Sequence, residues 1–191
     1  LLSHADLDHA GGAEALKRGL PIGRVLSGEA SALPAQLAAQ PCIDGASWQW
    51  DGVRFTTWRW QQAPEGNPAS CVLRVEAASG ERLLLAGDID QAAERALLAS
   101  GRDLRADWLQ VPHHGSGSSS SPAFLQAVAP RAVLLSRGRY NAYGHPHPQV
   151  LARYRALGAV VYDNVPNGTL RLSLGSHGEA RGEREQRHFW R

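Results

Sequence analysis

Apolar and polar positions alternate with two periodicities along the chain. A period of two residues predicts strands, and a period near 3.6 residues predicts helices. The segment SWQWDGVRFTTWRW (residues 47–60) alternates on both sides of Asp51-Gly52, a dipeptide that favours a two-residue hairpin turn. The segment SCVLRVEAASGERLLLAGD (residues 70–88) has the same form, with Ser79-Gly80 between two apolar runs. The pattern therefore predicts two β-hairpins in the first half of the chain.

The second half alternates predicted helices with predicted strands. Helical periodicity covers residues 89–100, 121–129 and 148–158, and strand-like runs cover residues 106–112, 131–136, 159–163 and 168–174. Near the start, GAEALKRG (residues 12–19) predicts a short helix that Gly19 terminates, and IGRVLSG (residues 22–28) predicts a strand. Early hairpins followed by β-α units indicate an α/β fold with two sheets and helices packed outside them.

The composition indicates one globular unit. The 191 residues are 43% hydrophobic, which is enough to bury the core of a single domain. The formal net charge is only +2, so any nucleic acid must be recognised at a defined site rather than through bulk charge. No apolar run approaches the roughly 20 residues of a membrane span, and no signal-peptide pattern opens the chain. Because it has no methionine and begins inside a polar motif, we expect it to be part of a longer protein with any anchoring segments elsewhere.

Two further features concern the cysteines and the C-terminus. Cys42 lies in a predicted loop and Cys71 in a predicted strand, and their spacing matches neither a CxxC motif nor a disulfide framework. We interpret them as two small buried residues rather than a bridge, so they do not identify a redox compartment. From Gly175 onward the chain is polar and charged, and we expect a surface tail that is partly disordered.

Residues of metal-binding type gather in four clusters, most of them directly after predicted strands, where loops over a sheet bring side chains together. The clusters are His4-x-Asp6-x-Asp8-His9, Gly87-Asp88-Ile89-Asp90, His113-His114-Gly115-Ser116 and the run from Asn141 to His147. Imidazole and carboxylate ligands without thiolates favour an open catalytic site for Zn²⁺, Mn²⁺ or Fe over a structural zinc site. Each cluster alone has a structural explanation, as a helix cap or an exposed polar loop. The four together favour a metal centre.

These motifs carry a resemblance to a known family. SHADLDHAGG (residues 3–12) resembles the HxHxDH signature of the metallo-β-lactamase superfamily, with Asp6 in the place of the second histidine. With LLLAGDID, LQVPHHGS and YNAYGHPHPQVL following in order, the chain is similar to the C-terminal metallo-β-lactamase-like domain of the ComEC family of DNA-uptake channels. The resemblance covers most of residues 1–174, leaving residues 175–191 as the charged tail. It implies an αββα sandwich with metals at the sheet edges, here lacking its first N-terminal strands, which precede the signature in the family.

The resemblance also implies ligands for one or two divalent ions. The implied set is Asp8, His9 and His114 for one ion, Asp88 as the bridge, and His4 and Asp6 for the other ion. The superfamily supplies one more histidine before Asp88, but none lies between His9 and His113 in this chain. Asn67 and Ser70 are the best substitutes. Such oxygen-rich coordination favours Mn²⁺ or Mg²⁺ over Zn²⁺ at that position, and we expect Mn²⁺ or Zn²⁺ overall.

The implied chemistry is phosphodiester hydrolysis. Asp8 would orient the attacking water, while His113 and His145 would contact a phosphoryl oxygen or protonate the leaving group; His113 can equally be a support for its neighbour His114. The serine run that begins at Ser116 can cradle phosphate through N–H and hydroxyl groups, or can be a flexible linker.

Further substrate contacts are assigned to the next loop. They are Asn141, together with Arg137 and Arg139, whose mixture with Tyr140 and Tyr143 is typical of single-strand binders and also of ordinary surfaces.

The function implied is a nuclease domain that degrades the non-imported DNA strand in natural transformation. Its partners would be DNA, most readily single-stranded, the rest of a polytopic membrane channel, and the family's competence DNA receptor and helicase. The domain would belong to a cytoplasmic-membrane protein and face the periplasmic or extracellular side. Two alternatives stay open: a hydrolase of the same fold acting on a small ester or phosphodiester, and a non-catalytic DNA-guiding domain.

Overall fold

The computed structural model describes residues 1–185. Its α-helices are α1 (Leu7–Ala10), α2 (Ala13–Gly19), α3 (Gln91–Ala99), α4 (Pro122–Val128), α5 (Pro148–Ala156) and α6 (Asn164–Asn167). Its strands are β1 (Leu26–Ser27), β2 (Gln40–Pro41), β3 (Ser47–Trp50), β4 (Val53–Trp58), β5 (Val72–Glu76), β6 (Arg82–Leu85), β7 (Trp108–Gln110), β8 (Ala132–Leu135), β9 (Val160–Asp163), β10 (Leu170–Arg171) and β11 (Arg181–Gly182). Among these residues, no helix combines the length and apolar character needed to cross a bilayer.

One seven-stranded mixed sheet organises the chain, with its strands in sequence order from β3 to β9. Strands β3 to β6 are antiparallel neighbours, and strands β6 to β9 are parallel neighbours. Helices α3, α4 and α5 connect the parallel strands. Because parallel strands end at the same edge of a sheet, the loops after β6, β7 and β8 meet at that edge.

Both predicted hairpins are confirmed. Trp50 pairs with Val53 across Asp51-Gly52, and the two turn residues have φ angles of 46° and 76°. Positive φ at both central residues is what a type I′ turn requires, which is why the Asp-Gly pair predicts it. In the second hairpin Glu76 pairs with Arg82, and Ser79-Gly80 lies in the connection.

Helices α3, α4 and α5 bury their apolar sides against one face of the sheet. Leu97, Phe124 and Tyr154 pack there against sheet residues that include Leu109 and Val133. The opposite face carries a smaller cluster around Trp108. Successive strand residues point to opposite faces, so the adjacent residues Trp108 and Leu109 belong to different clusters.

Several elements are shorter than predicted. The strand predicted at residues 22–28 is only β1, which pairs in parallel with β2, and the one predicted at residues 168–174 is only β10, which pairs with β11. Within residues 1–185 the expected second sheet is represented by these two-stranded pairs. Gly19 is the last residue of α2 rather than the residue after it, because the extended backbone of Leu20 ends the helix.

The two cysteines form a disulfide, so the interpretation of Cys42 and Cys71 as unpaired buried residues is wrong. Cys42 follows β2 and Cys71 precedes β5, and the two are 29 residues apart in sequence. Local spacing does not reveal a bridge of this kind, because the fold alone brings the two segments together. The bridge fastens the β1–β2 region to the large sheet.

Residues after 174 pack on the sheet for part of the predicted tail. Glu81, whose side chain is fully buried, accepts hydrogen bonds from the backbone N–H groups of Gly175 and His177. Ala180 is buried beside Trp108. Most of residues 175–182 are exposed, but Ala180 and Gly182 are buried and the backbone of Gly175 and His177 is held by Glu81, so this part of the segment packs on the sheet. Residues 186–191 lie outside the described residues, and the assignment of a domain to residues 1–174 stays a prediction.

Candidate metal centre

The predicted ligands approach one another at the edge of the sheet where the parallel strands end. The loop after β6 carries Asp88, and the loop after β7 carries His114. Helix α1 and the residues before it bring His4, Asp6, Asp8 and His9 to the same edge. Asp88 is buried, with 3% of its surface exposed, whereas Asp8 lies at the surface.

Two histidines and two carboxylates contact one another at this edge. The Nε2 atoms of His9 and His114 lie 3.3 Å apart. Asp88 places one oxygen 3.2 Å from His9 Nε2 and the other 3.3 Å from His114 Nε2. Asp8 Oδ2 lies 3.2 Å from His114 Nε2 and 3.7 Å from His9 Nε2. The ligand atoms of Asp8, His9 and His114 all lie within 4.8 Å of one another, as a metal site requires, and Asp88 contacts both of these histidines.

His4 lies beside His9 and Asp88, and Asp6 contacts His4. His4 is completely buried, and its Nε2 atom lies 3.3 Å from Asp6 Oδ2. His4, His9 and Asp88 offer ligand atoms that all lie within 4.8 Å of one another. Among the described residues, His4 Nε2 is one of the buried polar atoms without a hydrogen-bond partner. Buried polar atoms are costly when unpaired, so their presence beside the other ligands suits a divalent ion with nitrogen and oxygen ligands.

The Nδ1 atoms of the imidazoles hold the rings in place. His114 Nδ1 donates to the carbonyl oxygen of Ser136 at 2.8 Å, which leaves its Nε2 lone pair facing the cluster. Ser3 Oγ lies 3.0 Å from His4 Nδ1 and 2.9 Å from His9 Nδ1. One hydroxyl group therefore orients two ligand rings.

The carboxylates stabilise positive charge at this position. The hydrogen bond to Asp88 raises the pKa of His114 to about 9, and the same contact raises the pKa of His9. Burial alone would raise the pKa of Asp88, but the hydrogen bonds from His114 and His9 hold it well below its usual range. Protons and metal cations compete for the same Nε2 atoms, so the negative charge of these carboxylates favours the binding of either one.

The loop after β7 aims two adjacent histidines in different directions. His113 and His114 both have left-handed backbones, with φ angles of 48° and 53°. This conformation is uncommon for residues other than glycine and costs about 1–2 kcal/mol per residue. As a result His114 faces Asp88, while His113 Nε2 lies 3.1 Å from Asn67 Nδ2. Burial lowers the pKa of His113, so its ring is neutral at pH 7.

Asn67 and Ser70 contact histidines but do not face the ligand position. Asn67 donates to His113, as described above. Ser70 Oγ lies 3.4 Å from His4 Nδ1, on the far side of the ring from Nε2, and accepts a hydrogen bond from Asp88 N at 3.1 Å. Ser70 is therefore placed to support His4 and Asp88 rather than to replace the missing histidine.

The comparisons with known proteins agree with this geometry. Residues 1–139 match the family model of the metallo-β-lactamase superfamily. The chain belongs to the metallo-β-lactamase superfamily. That membership and the mixed sheet with its covering helices confirm the predicted α/β fold class, and the fold is that of metallohydrolases that generally bind divalent metals.

The chain is similar in sequence to several longer proteins and similar in fold to a solved structure. Competence protein ComA of Neisseria gonorrhoeae is 38% identical over 194 aligned residues, which cover 100% of this chain and 27% of that protein. Recombination protein 2 of Haemophilus influenzae is 30% identical, over 91% of this chain and 22% of that protein. The chain thus spans about a quarter of the length of these curated relatives. Igni18, a metallo hydrolase from Ignicoccus hospitalis, has a TM-score of 0.57 at 15% identity, covering 85% of this chain and 73% of Igni18, and shows the fold alone.

The predicted substrate-binding residues mostly hold the loops of this superfamily member together. Arg137 donates to Asp163 at 2.7 Å, and the Asn141 side chain contacts the backbone of Gly138 and His145. Arg139 is exposed and lies over the Tyr140 ring, with its guanidinium carbon 5.6 Å from the ring centroid.

His145 is closer to the metal centre. Its ring packs edge-on against His113, with centroids 5.8 Å apart, and burial lowers its pKa.

The serine run after His114 is mostly buried. Ser119 and Ser120 are fully buried, and Glu94 accepts hydrogen bonds from Ser120 N and Ser121 N. Ser116 is 8% exposed, and its hydroxyl contacts Ser118. Ser120 and Ser121 thus help to pack α4 against α3, whereas Gly117 and Ser118 are exposed, and a substrate contact of Ser116 stays a prediction.

Sequence reasoning missed the residues that position the ligands. Ser3 stands directly before His4, but a single serine carries no signal of its own. Gln110 accepts hydrogen bonds from Ala86 N and Gly87 N and so fixes the loop that carries Asp88. These contacts depend on the register of neighbouring strands, which no local pattern reports.

Proposed function

We propose that this chain is a divalent-metal-dependent phosphodiesterase domain that acts on DNA and degrades the strand that is not imported during DNA uptake. The observation that carries the proposal is a pair of overlapping ligand groups that share His9: Asp8, His9 and His114 form one group, and His4, His9 and Asp88 form the other. Superfamily membership makes hydrolysis the natural use of such a centre. The DNA substrate is supported by the names of the relatives.

The residues present suit one or two ions. Asp8, His9 and His114 would hold one ion, Asp88 would bridge, and His4 with Asp6 would hold the other. When bound, divalent ions at such a centre lower the pKa of water and neutralise charge on a phosphoryl group. The mixture of nitrogen and oxygen ligands suits Mn²⁺ or Zn²⁺.

The surrounding side chains would orient substrate and water. Asp8 is exposed beside His114, so its carboxylate can accept a proton from the attacking water. His113 and His145 pack against each other, and burial lowers the pKa of both rings, which favours their neutral form. Neutral imidazoles can donate a hydrogen bond to a phosphoryl oxygen, which positions the phosphodiester without adding charge.

The proposal includes the longer protein to which this domain would belong and the side of the membrane that it would face. Competence protein ComA and Recombination protein 2 are names of longer proteins, so this domain would work within a larger, membrane-associated DNA-uptake protein, in contact with a DNA receptor and a helicase. The Cys42–Cys71 bridge supports the periplasmic or extracellular side, because disulfides persist in oxidising compartments.

Cleavage of labelled DNA tests this function. Single- and double-stranded oligonucleotides are incubated with the chain in Mn²⁺, Mg²⁺ or Zn²⁺, and the metal content of the protein is measured alongside. We expect metal-dependent cleavage that Asp88→Ala abolishes together with metal binding. His145→Ala should keep the metal and lower turnover roughly 10²–10⁴-fold, the usual worth of a positioned proton-transfer or hydrogen-bonding group.

Two results would overturn the proposal. DNA binding without cleavage by the metal-loaded chain would indicate a DNA-guiding domain. Hydrolysis of small esters or small phosphodiesters with no action on DNA would indicate a different substrate class. Loss of metal from His145→Ala would instead make His145 a ligand and refute its assigned role.

A further inference from the structure

Two large aromatic side chains are exposed in the loop that carries His145. Tyr140 is 89% exposed and Tyr143 is 83% exposed, and both belong to the loop between β8 and α5. Large aromatic residues normally bury much of their surface, since each can contribute 150–250 Å² of contact area. The exposure of both in one loop therefore suits a binding role.

The loop that carries them is fastened at several points. The Asn141 side chain donates to the carbonyl oxygens of Gly138 and His145 and accepts from His145 N, all at 2.8–2.9 Å. At the start of the loop, Arg137 N donates to Asn164 Oδ1 and Asn164 Nδ2 donates back to Arg137 O. The tyrosines are thus presented on a braced backbone, which lowers the entropy lost when a ligand packs against them.

A row of rings leads from the exposed tyrosine to the metal ligands. Tyr143 stacks on His145 with centroids 5.7 Å apart and an interplanar angle of 20°. His145 then packs edge-on against His113, and the centroid of His113 is 6.4 Å from that of His114. The outer face of Tyr143 therefore lies at one end of a continuous row whose other end is a predicted metal ligand.

We infer that Tyr143, assisted by Tyr140, stacks on unpaired bases and so selects single-stranded nucleic acid for this centre. The inference rests on the proposed function and names its substrate class. A π-face can be stacked only if the base is free of its duplex neighbours, so the contact discriminates between strands by pairing state rather than by sequence.

The charges nearby support stacking over phosphate binding. Arg137, the cation at the start of the loop, is paired with Asp163, and the chain carries a net charge of only +2. Arg139 lies over Tyr140, so it can reinforce a stacked base through a cation–π contact. A surface that relied on phosphate contacts would need several unpaired cations.

Binding measurements test the inference without relying on cleavage. Fluorescence anisotropy is recorded with a labelled single strand and with the matching duplex, with and without a chelator, so that hydrolysis does not obscure binding. We expect Tyr143→Ala to weaken single-strand binding about tenfold and duplex binding less than twofold, in line with the worth of one stacked base. Tyr143→Phe should bind like the wild type, because it keeps the ring.

Matched controls make the outcome specific. Trp50→Ala removes an aromatic side chain that is 69% exposed on β3, and it should leave single-strand binding unchanged. A strand with abasic sites should bind the wild-type chain about as weakly as an intact strand binds Tyr143→Ala. If Tyr143→Ala lost affinity equally for single strand and duplex, or lost none, the inference would be overturned. If the variant kept its affinity for DNA but no longer associated with another protein, the tyrosines would belong to a protein-binding surface instead. DNA cleavage can succeed or fail independently of these results, so the two proposals are separable.

Discussion

At the scale of single residues, Ser3 contacts two predicted metal ligands and two backbone segments. For His4 and His9 to bind a cation through Nε2, each neutral ring must carry its proton on Nδ1, and both Nδ1 atoms point at Ser3 Oγ. The Ser3 carbonyl oxygen also accepts hydrogen bonds from Gly28 N and Cys71 N. A Cβ atom at Gly28 would collide with this oxygen, so glycine is needed for the close approach.

Replacing Ser3 with alanine should weaken metal binding while leaving the fold intact. The carbonyl contacts remain, but the shared acceptor of two ligand rings is lost, and removing such a supporting contact typically costs 10–100-fold in metal affinity. Isothermal titration with Mn²⁺ or Zn²⁺ measures the change. Ser100→Ala, which removes a serine hydroxyl bonded to Leu97 O at the end of α3, is the control and should bind as the wild type does. Equal affinities for Ser3→Ala and wild type would show that Ser3 does not orient the rings.

At the scale of elements, the disulfide joins two segments that carry different parts of the centre. Cys71 leads into β5 and its N–H donates to Ser3, while Cys42 follows β2 and donates to Ser27 O. Ser27 belongs to β1, which bridges to Leu2 just before the histidine motif. The bridge therefore restrains the segment that supplies His4 and His9 relative to the sheet that supplies Asp88.

Removing the bridge should lower stability by about 3–4 kcal/mol, the loop-closure value for a separation of 29 residues. Urea unfolding of the double variant Cys42→Ala/Cys71→Ala and of the reduced wild-type chain measures the difference. Both should unfold at a lower urea concentration than the oxidised chain, and reductant should have no effect on the double variant. Coincident unfolding curves with and without reductant for the wild type would contradict a structural bridge.

What the sequence could predict follows from the range of the interactions involved. The Asp51-Gly52 hairpin was predictable because turn chemistry acts within a few residues, and the ligand types were predictable because histidine and aspartate are rare in such spacings. The Cys42–Cys71 bridge and the shared contact of Ser3 join segments that only the fold brings together. The left-handed backbone of His113 and His114 was likewise not predictable, since histidine adopts this conformation only in a minority of positions and no local pattern marks them.

At the scale of the whole molecule, Glu81 connects four segments beneath one face of the sheet. Its carboxylate accepts hydrogen bonds from Trp108 Nε1 at 2.9 Å and from Arg131 at 2.7 Å, besides the two N–H groups of the C-terminal segment. Burial alone would raise its pKa, but these donors lower it to about 2. The buried charge is thereby matched by hydrogen bonds on every side.

This lowered pKa makes stability depend on acid. A carboxylate whose folded pKa lies below its unfolded value of 4.5 stabilises the fold above pH 4.5, and the contribution is lost as the pH falls through the folded value near 2. The contribution at neutral pH is up to about 3 kcal/mol. Urea unfolding measures the free energy of unfolding at pH 7 and at pH 3. Between these pH values it should fall less for Glu81→Gln than for the wild type. Glu183→Gln, which removes an ion pair to the exposed Arg171, should behave as the wild type does at both pH values; an identical profile for Glu81→Gln would contradict the assignment.

The separation of the ligands along the chain has a consequence for the lifetime of the protein. His9 and His114 are 105 residues apart in sequence, yet their Nε2 atoms nearly touch. An ion held between them acts as a reversible cross-link, and at a hundredfold excess over its dissociation constant it adds about 2.7 kcal/mol to the free energy of unfolding. Metal supply would then govern how often the segment that carries His4 and His9 detaches and becomes accessible to proteases, so loss of metal would lower the amount of the domain as well as its activity.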